Sequence, residues 1–195
     1  MGGSRYGNEY GQINEKQSRC SLHYAIDRGI NYIDTAYWYG QGSSEQFLGK
    51  ALKDVPRDKY YVGTKVGRYE LDIRNMFDFS AEKVTQSAEE SLKRLQLDYV
   101  DLLQVQDVEF APSIDIVVNK TLPAVDCLRE RGLCRFVGIT GYPIKVLRDV
   151  LERSPVKIDS VLSYCRLTVW DPSLTKHFDL SLKECMQTCH HAVNI

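Results

Sequence analysis

At 195 residues, with 43% hydrophobic and 26% charged, the chain has the composition of one compact globular domain. Its 25 basic and 26 acidic residues are interspersed and sum to a net charge of -1, which leaves no electrostatic footprint for nucleic acid or an anionic membrane. No apolar run approaches the roughly 20 residues of a membrane helix. The six cysteines (Cys20, Cys127, Cys134, Cys165, Cys185 and Cys189) are dispersed and no basic-then-apolar leader opens the chain, so a reduced, cytoplasmic protein is expected.

Short apolar, β-rich runs alternate with longer stretches of helical period, the pattern of a parallel sheet with crossover helices. The spacing predicts a first helix from about Glu15 to Arg28, closed by Gly29, and then a buried strand from Ile30 to Asp34. Ser43 and Gln46 read as a capping box for a short helix through Leu52, and Pro56 and Asp58 introduce a strand from Tyr60 to Thr64. Ser80 caps a helix whose Val84, Ala88, Leu92 and Leu95 form one apolar stripe, and a strand from Tyr99 to Val105 follows. Asp115 to Arg131 reads as a helix bent at Pro123 and ended by Gly132, followed by a strand from Cys134 to Ile139. A helix from Pro143 to Glu152, a strand from Ile158 to Tyr164 and a helix start at Asp171-Pro172 complete the series. No linker or repeat interrupts it, so a single domain over 1–195 is expected.

An open dinucleotide-binding sheet would be expected to carry a G-x-G-x-x-G turn, and none occurs; that absence favours a barrel. In a barrel of parallel strands the active site lies at the strands' C-terminal ends. The polar residues there are Asp34, then Tyr39 in the loop Thr35-Ala36-Tyr37-Trp38-Tyr39-Gly40, Lys65 after Thr64, and Gln106 after Val105. A phenol with a pKa near 10 is a poor acid at neutral pH, but a lysine ammonium beside it would lower that value. A carboxylate would hold the lysine charged. Asp34, Tyr39 and Lys65 together would therefore make a proton donor for a carbonyl oxygen, and the hydride would have to come from elsewhere.

These residues carry a resemblance. The stretch Gly29-Ile30-Asn31-Tyr32-Ile33-Asp34-Thr35-Ala36 with Tyr39-Gly40, then Gly63-Thr64-Lys65, Leu95-Gln96-Leu97-Asp98-Tyr99-Val100-Asp101-Leu102 and Phe136-Val137-Gly138-Ile139-Thr140-Gly141 are similar to the aldo-keto reductase family, most closely its L-galactose dehydrogenase-like branch. The similarity is strongest over 12–165, and 180–195 reads as a divergent tail. The resemblance implies an α/β fold of (β/α)8 TIM-barrel type. It implies a nicotinamide cofactor, NADP(H) with NAD(H) as the alternative, and a small carbonyl or sugar substrate. It gives Tyr39 the role of general acid, with Lys65 and Asp34 tuning it. It matches Thr140 and Gly141 to the position that holds the nicotinamide carboxamide, and it makes Asp34 and Ser163 further cofactor-binding residues.

Gln106 stands where the family usually has a histidine. An amide can orient and polarise a carbonyl but carries no titratable proton, so weakened chemistry is expected. Met1 to Gly7 reads as the tail of a first strand-loop unit, and similarity fades after about Asp179, before the last two strands, which in the family carry the phosphate and adenosine contacts. A complete barrel takes roughly 250 residues, so an incomplete one, of about five to six βα units, is expected. The alternative expectation is a catalytically silent or truncated relative that only binds a partner, or a non-functional isoform. His23 reads as a structural residue on the first helix. Cys185, Cys189, His190 and His191 lack a second ligand pair and read as part of the tail rather than as a zinc site. Asn119-Lys120-Thr121 reads as a chance glycosylation acceptor, given the absence of a leader.

Overall fold

Strands β1 (Tyr32–Asp34), β2 (Tyr61–Val66), β3 (Val100–Val105), β4 (Cys134–Gly141) and β5 (Ser160–Ser163) lie side by side in chain order, and every neighbouring pair is parallel. Helices α1 (Glu15–Asp27), α2 (Ser43–Ala51), α3 (Ala81–Leu95), α4 (Ile114–Ile116), α5 (Leu122–Glu130) and α6 (Ile144–Arg153) supply the crossovers. The result is a curled half-barrel, the incomplete TIM-barrel type expected from the sequence. This computed structural model describes residues 1–7 and 11–177. The cluster Cys185, Cys189, His190 and His191 lies outside the described residues. Among the described residues no helix is long and apolar enough to cross a membrane.

The sheet has two faces because successive side chains point to opposite sides. One face, carrying Ile33, Val62, Leu103, Val105, Val137, Ile139 and Val161, is buried in the core with the helices. The expected stripe of α3, Val84, Ala88, Leu92 and Leu95, is buried there in full. The other face is the inside of the arc, where the pairings Lys65↔Gln104 and Gln104↔Gly138 put polar and small residues in one row. That inner face carries the buried Lys65–Asp34 pair.

Most expected elements are present with shifted ends. Ile30 is 52% exposed and precedes β1 rather than starting it, because its N–H turns back to the Ala25 carbonyl and closes α1. The fifth strand is shorter than Ile158 to Tyr164, whereas the fourth runs on to Gly141. Ser80 caps α3 as expected, its hydroxyl accepting from the Lys83 N–H. Ser43 does not cap α2: Gly42, with φ at +88°, is the cap residue and no side chain bonds the first turn. Ser44 instead donates to the Gly3 carbonyl and meets the Thr35 hydroxyl at 2.8 Å.

The helix expected over Asp115 to Arg131 is broken by a π-turn at Val117–Thr121, which leads directly into α5. Pro123 has no N–H to give, and its ring would strike the carbonyl one turn back in a regular helix. The wider turn, in which the Leu122 N–H reaches the Val117 carbonyl, removes that clash without ending the helix. The Asp171-Pro172 signal produces a short 3-10 turn, Ser173–His177, with Asp171 accepting from the Ser173 N–H.

Candidate active site

Asp34 is the last residue of β1, and its main chain is held on both sides of the strand end. Its N–H donates to the Met1 carbonyl at 2.9 Å and its carbonyl accepts from Gly3 at 2.6 Å, so the first three residues lie alongside β1. Tyr39 sits in the turn that follows. The Tyr39-Gly40 backbone is pressed against Gly7: a Cβ on Gly40 would come within 1.9 Å of the Gly7 carbonyl oxygen, and Gly40 has φ at +65°. Only glycine allows that approach.

Lys65, near the end of β2, is 3% exposed and uses each of its three ammonium protons. Its Nζ donates to Asp34 Oδ2 at 2.6 Å, to the Thr35 carbonyl at 3.0 Å and to the Tyr39 hydroxyl at 3.3 Å. Asp34 Oδ1 in turn accepts from Gln104 Nε2 at 3.2 Å and faces the Tyr32 hydroxyl at 3.5 Å. The phenol, ammonium and carboxylate expected to meet at the strand ends therefore do meet.

Their electrostatics depart from the expectation in one respect. Burial would push the Lys65 ammonium towards neutrality, but Asp34 and then Tyr39 outweigh it and hold its pKa well above the ordinary lysine value. For Tyr39 the balance goes the other way. Burial raises its pKa, Lys65 lowers it and Asp34 raises it again, so the net shift is upward where a lowering was expected. A phenol surrounded by protein loses more hydration than one lysine, itself neutralised by Asp34, can restore. Tyr39 is thus a neutral phenol at physiological pH.

Gln106 lies just past β3, its N–H still continuing the ladder to the Val66 carbonyl at 2.8 Å. It is 6% exposed and its side-chain Oε1 is buried with no hydrogen-bond partner. Thr140, in β4, is turned towards Asp107: its hydroxyl accepts from the Asp107 N–H at 3.0 Å and donates to Asp107 Oδ1 at 3.3 Å. Gly141 is roofed by Glu109, whose Oε2 would lie 2.6 Å from a Cβ there. Glu109 Oε1 accepts from the Tyr142 N–H at 2.8 Å, while Oε2 is buried and unpartnered. Ser163, paired with Gly141 across β4 and β5, also keeps a buried, unpartnered hydroxyl.

Two buried, unsatisfied polar atoms lie beside Gly141, on Ser163 and Glu109, and a small polar ligand with both a donor and an acceptor would complete them. A nicotinamide carboxamide is such a group, and Ser163 and Glu109 fit it. Thr140 offers only a remaining lone pair, because its proton is committed to Asp107.

Several residues at the site were not among the expected ones. Gln104 is 1% exposed and braces Asp34 from inside the arc; a lone polar residue among Leu102, Leu103 and Val105 was the available signal. Arg68 pairs with Asp107 at 2.9 Å and lies 4.0 Å over the Trp38 ring, tying the loops after β1, β2 and β3 together. Burial raises the Asp107 pKa and Arg68 opposes the rise. That contact joins positions 39 apart, and no local pattern announces it.

The model of the Aldo/keto reductase family matches residues 1–195. L-galactose dehydrogenase of Arabidopsis thaliana is 46% identical over 177 residues, which is 89% of this chain and 54% of that protein. D-arabinose 1-dehydrogenase of Saccharomyces cerevisiae is 36% identical over 163 residues, 78% of this chain and 47% of the relative. The holo form of aldo-keto reductase AKR11C1 from Bacillus halodurans superposes with a TM-score of 0.80 at 30% identity, over 96% of this chain and 59% of that one. The chain thus spans about half the length of the curated relatives it matches. With the family's match along its whole length and the half-barrel that carries the Asp34, Tyr39 and Lys65 cluster, the chain belongs to the aldo/keto reductase family.

Proposed function

We propose that this chain carries the proton-transfer half of an NAD(P)(H)-dependent oxidoreductase site, with NADP(H) as the preferred cofactor. Its substrate is an aldehyde or ketone to be reduced, or a sugar alcohol or aldose to be oxidised. The single observation that supports it best is Lys65 Nζ donating at once to Asp34 and to the Tyr39 hydroxyl. The sugar dehydrogenases among its relatives support the substrate class.

The nicotinamide, when bound, supplies hydride to the carbonyl carbon or accepts it in the reverse direction. Tyr39 gives its proton to the carbonyl oxygen, and the resulting phenolate is balanced by the Lys65 ammonium 3.3 Å away. Asp34 keeps that ammonium charged and aimed, which the raised Lys65 pKa expresses. Gln106 donates an amide N–H to the same oxygen, so it orients the carbonyl without exchanging a proton. Ser163 and Glu109 hold the carboxamide end of the cofactor beside Gly141.

The reading is tested by titrating the purified chain into NADPH, following cofactor fluorescence, and then following NADPH oxidation with a generic aldehyde. Binding and turnover are expected. Tyr39→Phe should lower turnover by about 10²–10⁴-fold, the usual worth of a positioned acid, with NADPH affinity unchanged. The replacement of a titratable residue by Gln106 favours a second reading, a chain that binds cofactor or partner without turnover. NADPH binding with no oxidation by the parent chain would establish it.

A further inference from the structure

Gln106 has a property that a carbonyl substrate alone leaves unused. Its side chain is 6% exposed and Oε1 is buried without a donor. The two neighbours on the inner face cannot supply one. On the β2 side the position level with Gln106 is Gly67, one step beyond the Val66↔Val105 pair, and it has no side chain. Gly67 has φ at +105°, and a Cβ there would sit 3.0 Å from the Phe79 ring and 3.4 Å from the Gln106 carbonyl, so the position is closed to larger residues. On the β4 side the position one step beyond Val105↔Ile139 is Thr140, whose hydroxyl proton already goes to Asp107.

A buried acceptor left in this state weakens the fold or awaits a ligand donor. The carbonyl oxygen that takes a proton from Tyr39 is an acceptor and can satisfy only the Nε2 end of the amide. The donor must be a second group on the substrate, next to the reacting oxygen. In an amide the donor and the acceptor lie side by side on one edge, a spacing that matches oxygens on adjacent carbons. An imidazole points its two nitrogens apart and offers one of them to a ligand.

We propose that Gln106 is a specificity-determining residue that reads two neighbouring substrate oxygens. Its Nε2–H meets the reacting oxygen and its Oε1 accepts from the hydroxyl on the adjacent carbon. The substrate class this selects is α-hydroxy carbonyl compounds and aldoses with a free 2-hydroxyl, over simple aldehydes and 2-deoxy sugars. The inference rests on the oxidoreductase reading above, because that reading supplies the reacting oxygen.

The test compares D-arabinose with 2-deoxy-D-ribose, which differs from it only by lacking the 2-hydroxyl. Each is titrated into the full chain by saturation-transfer NMR with saturating NADPH, whose own binding is followed by fluorescence in the same samples. D-arabinose should bind about tenfold more tightly, the worth of one neutral hydrogen bond. In Gln106→His and Gln106→Met that difference should disappear, mainly through weaker D-arabinose binding. Equal affinities in the parent chain, no binding of either sugar, or a difference that survives in Gln106→Met would each overturn the inference, and the parent comparison decides even where a variant does not fold. Absence of NADPH binding with sugar discrimination intact would sink the oxidoreductase reading and leave only the contact between Gln106 and the 2-hydroxyl standing. NADPH binding without discrimination would do the reverse.

Discussion

Lys65 shows how a charged side chain can be kept in a protein interior. At 3% exposure an ammonium survives only because the Asp34 carboxylate, the Thr35 carbonyl and the Tyr39 hydroxyl replace its water. Lys65→Met would leave Asp34 as an uncompensated buried charge and should cost about 3–5 kcal/mol in urea unfolding. The pH dependence follows from the direction of the shifts. The Lys65 and Tyr39 pKa values are both raised in the folded chain. Above pH 10 the unfolded chain therefore releases these protons while the folded chain still holds them. Their contribution is fully present at neutral pH and is lost as the pH climbs through the folded values. Urea midpoints should fall between pH 9 and pH 11, and a midpoint that holds steady over that interval would contradict the buried pair.

The elements that carry the site are held by polar contacts behind it as well as by packing. Glu45 of α2, fully buried, accepts from Thr64 of β2 at 2.6 Å and pairs with Arg94 of α3 at 2.7 Å. Arg94 also covers the ring of Tyr37, two residues before Tyr39. The π-turn between α4 and α5 is pinned in a similar way by Thr121, whose hydroxyl donates to the Phe79 carbonyl at 2.6 Å and approaches the Ile116 carbonyl at 3.3 Å. Thr121→Val keeps the shape and removes both bonds. It should destabilise the fold by about 1–3 kcal/mol, the cost of an unsatisfied buried acceptor, and thermal unfolding would measure it. A loss below a few tenths of a kcal/mol would mean that the turn is held by Pro123 and packing alone.

Across the whole molecule the two faces of the sheet differ in completeness. The helix side is buried from β1 to β5. On the inner side, Phe136 of β4 is 42% exposed, and Tyr164 just past β5 is 45% exposed. Among the described residues β5 is paired on one side only, by β4, while β3 is paired on both. Amide hydrogen exchange should therefore be faster at Ser160–Ser163 than at Val100–Val105, by the difference between a local edge opening and deeper unfolding. Equal protection of the two strands would show that β5 is covered in solution.

How much of this was readable beforehand depends on the range of the interaction. The alternation of β-rich and helical runs, the Ser80 cap, the α3 stripe and the strand-end positions of Asp34, Lys65 and Gln106 are local patterns, and the chain carries them in its order of residues. Ile30 has the local apolar character of a strand residue, but its N–H goes to the Ala25 carbonyl and closes α1, which its own residue type does not reveal. The Gln104 brace on Asp34 spans 70 positions and the Arg68–Asp107 pair spans 39, so only the folded sheet brings them together. The same holds for the direction of the Tyr39 pKa. The sequence by itself determined the strand series and which residues, Asp34, Tyr39 and Lys65, stand at its strand ends, because periodicity and residue type are written in it. Only the tertiary structure decided that burial outweighs Lys65 at the phenol, and that one oxygen of Gln106 is left without a donor. Desolvation and hydrogen-bond satisfaction depend on what surrounds an atom, and that is set by contacts between distant parts of the chain.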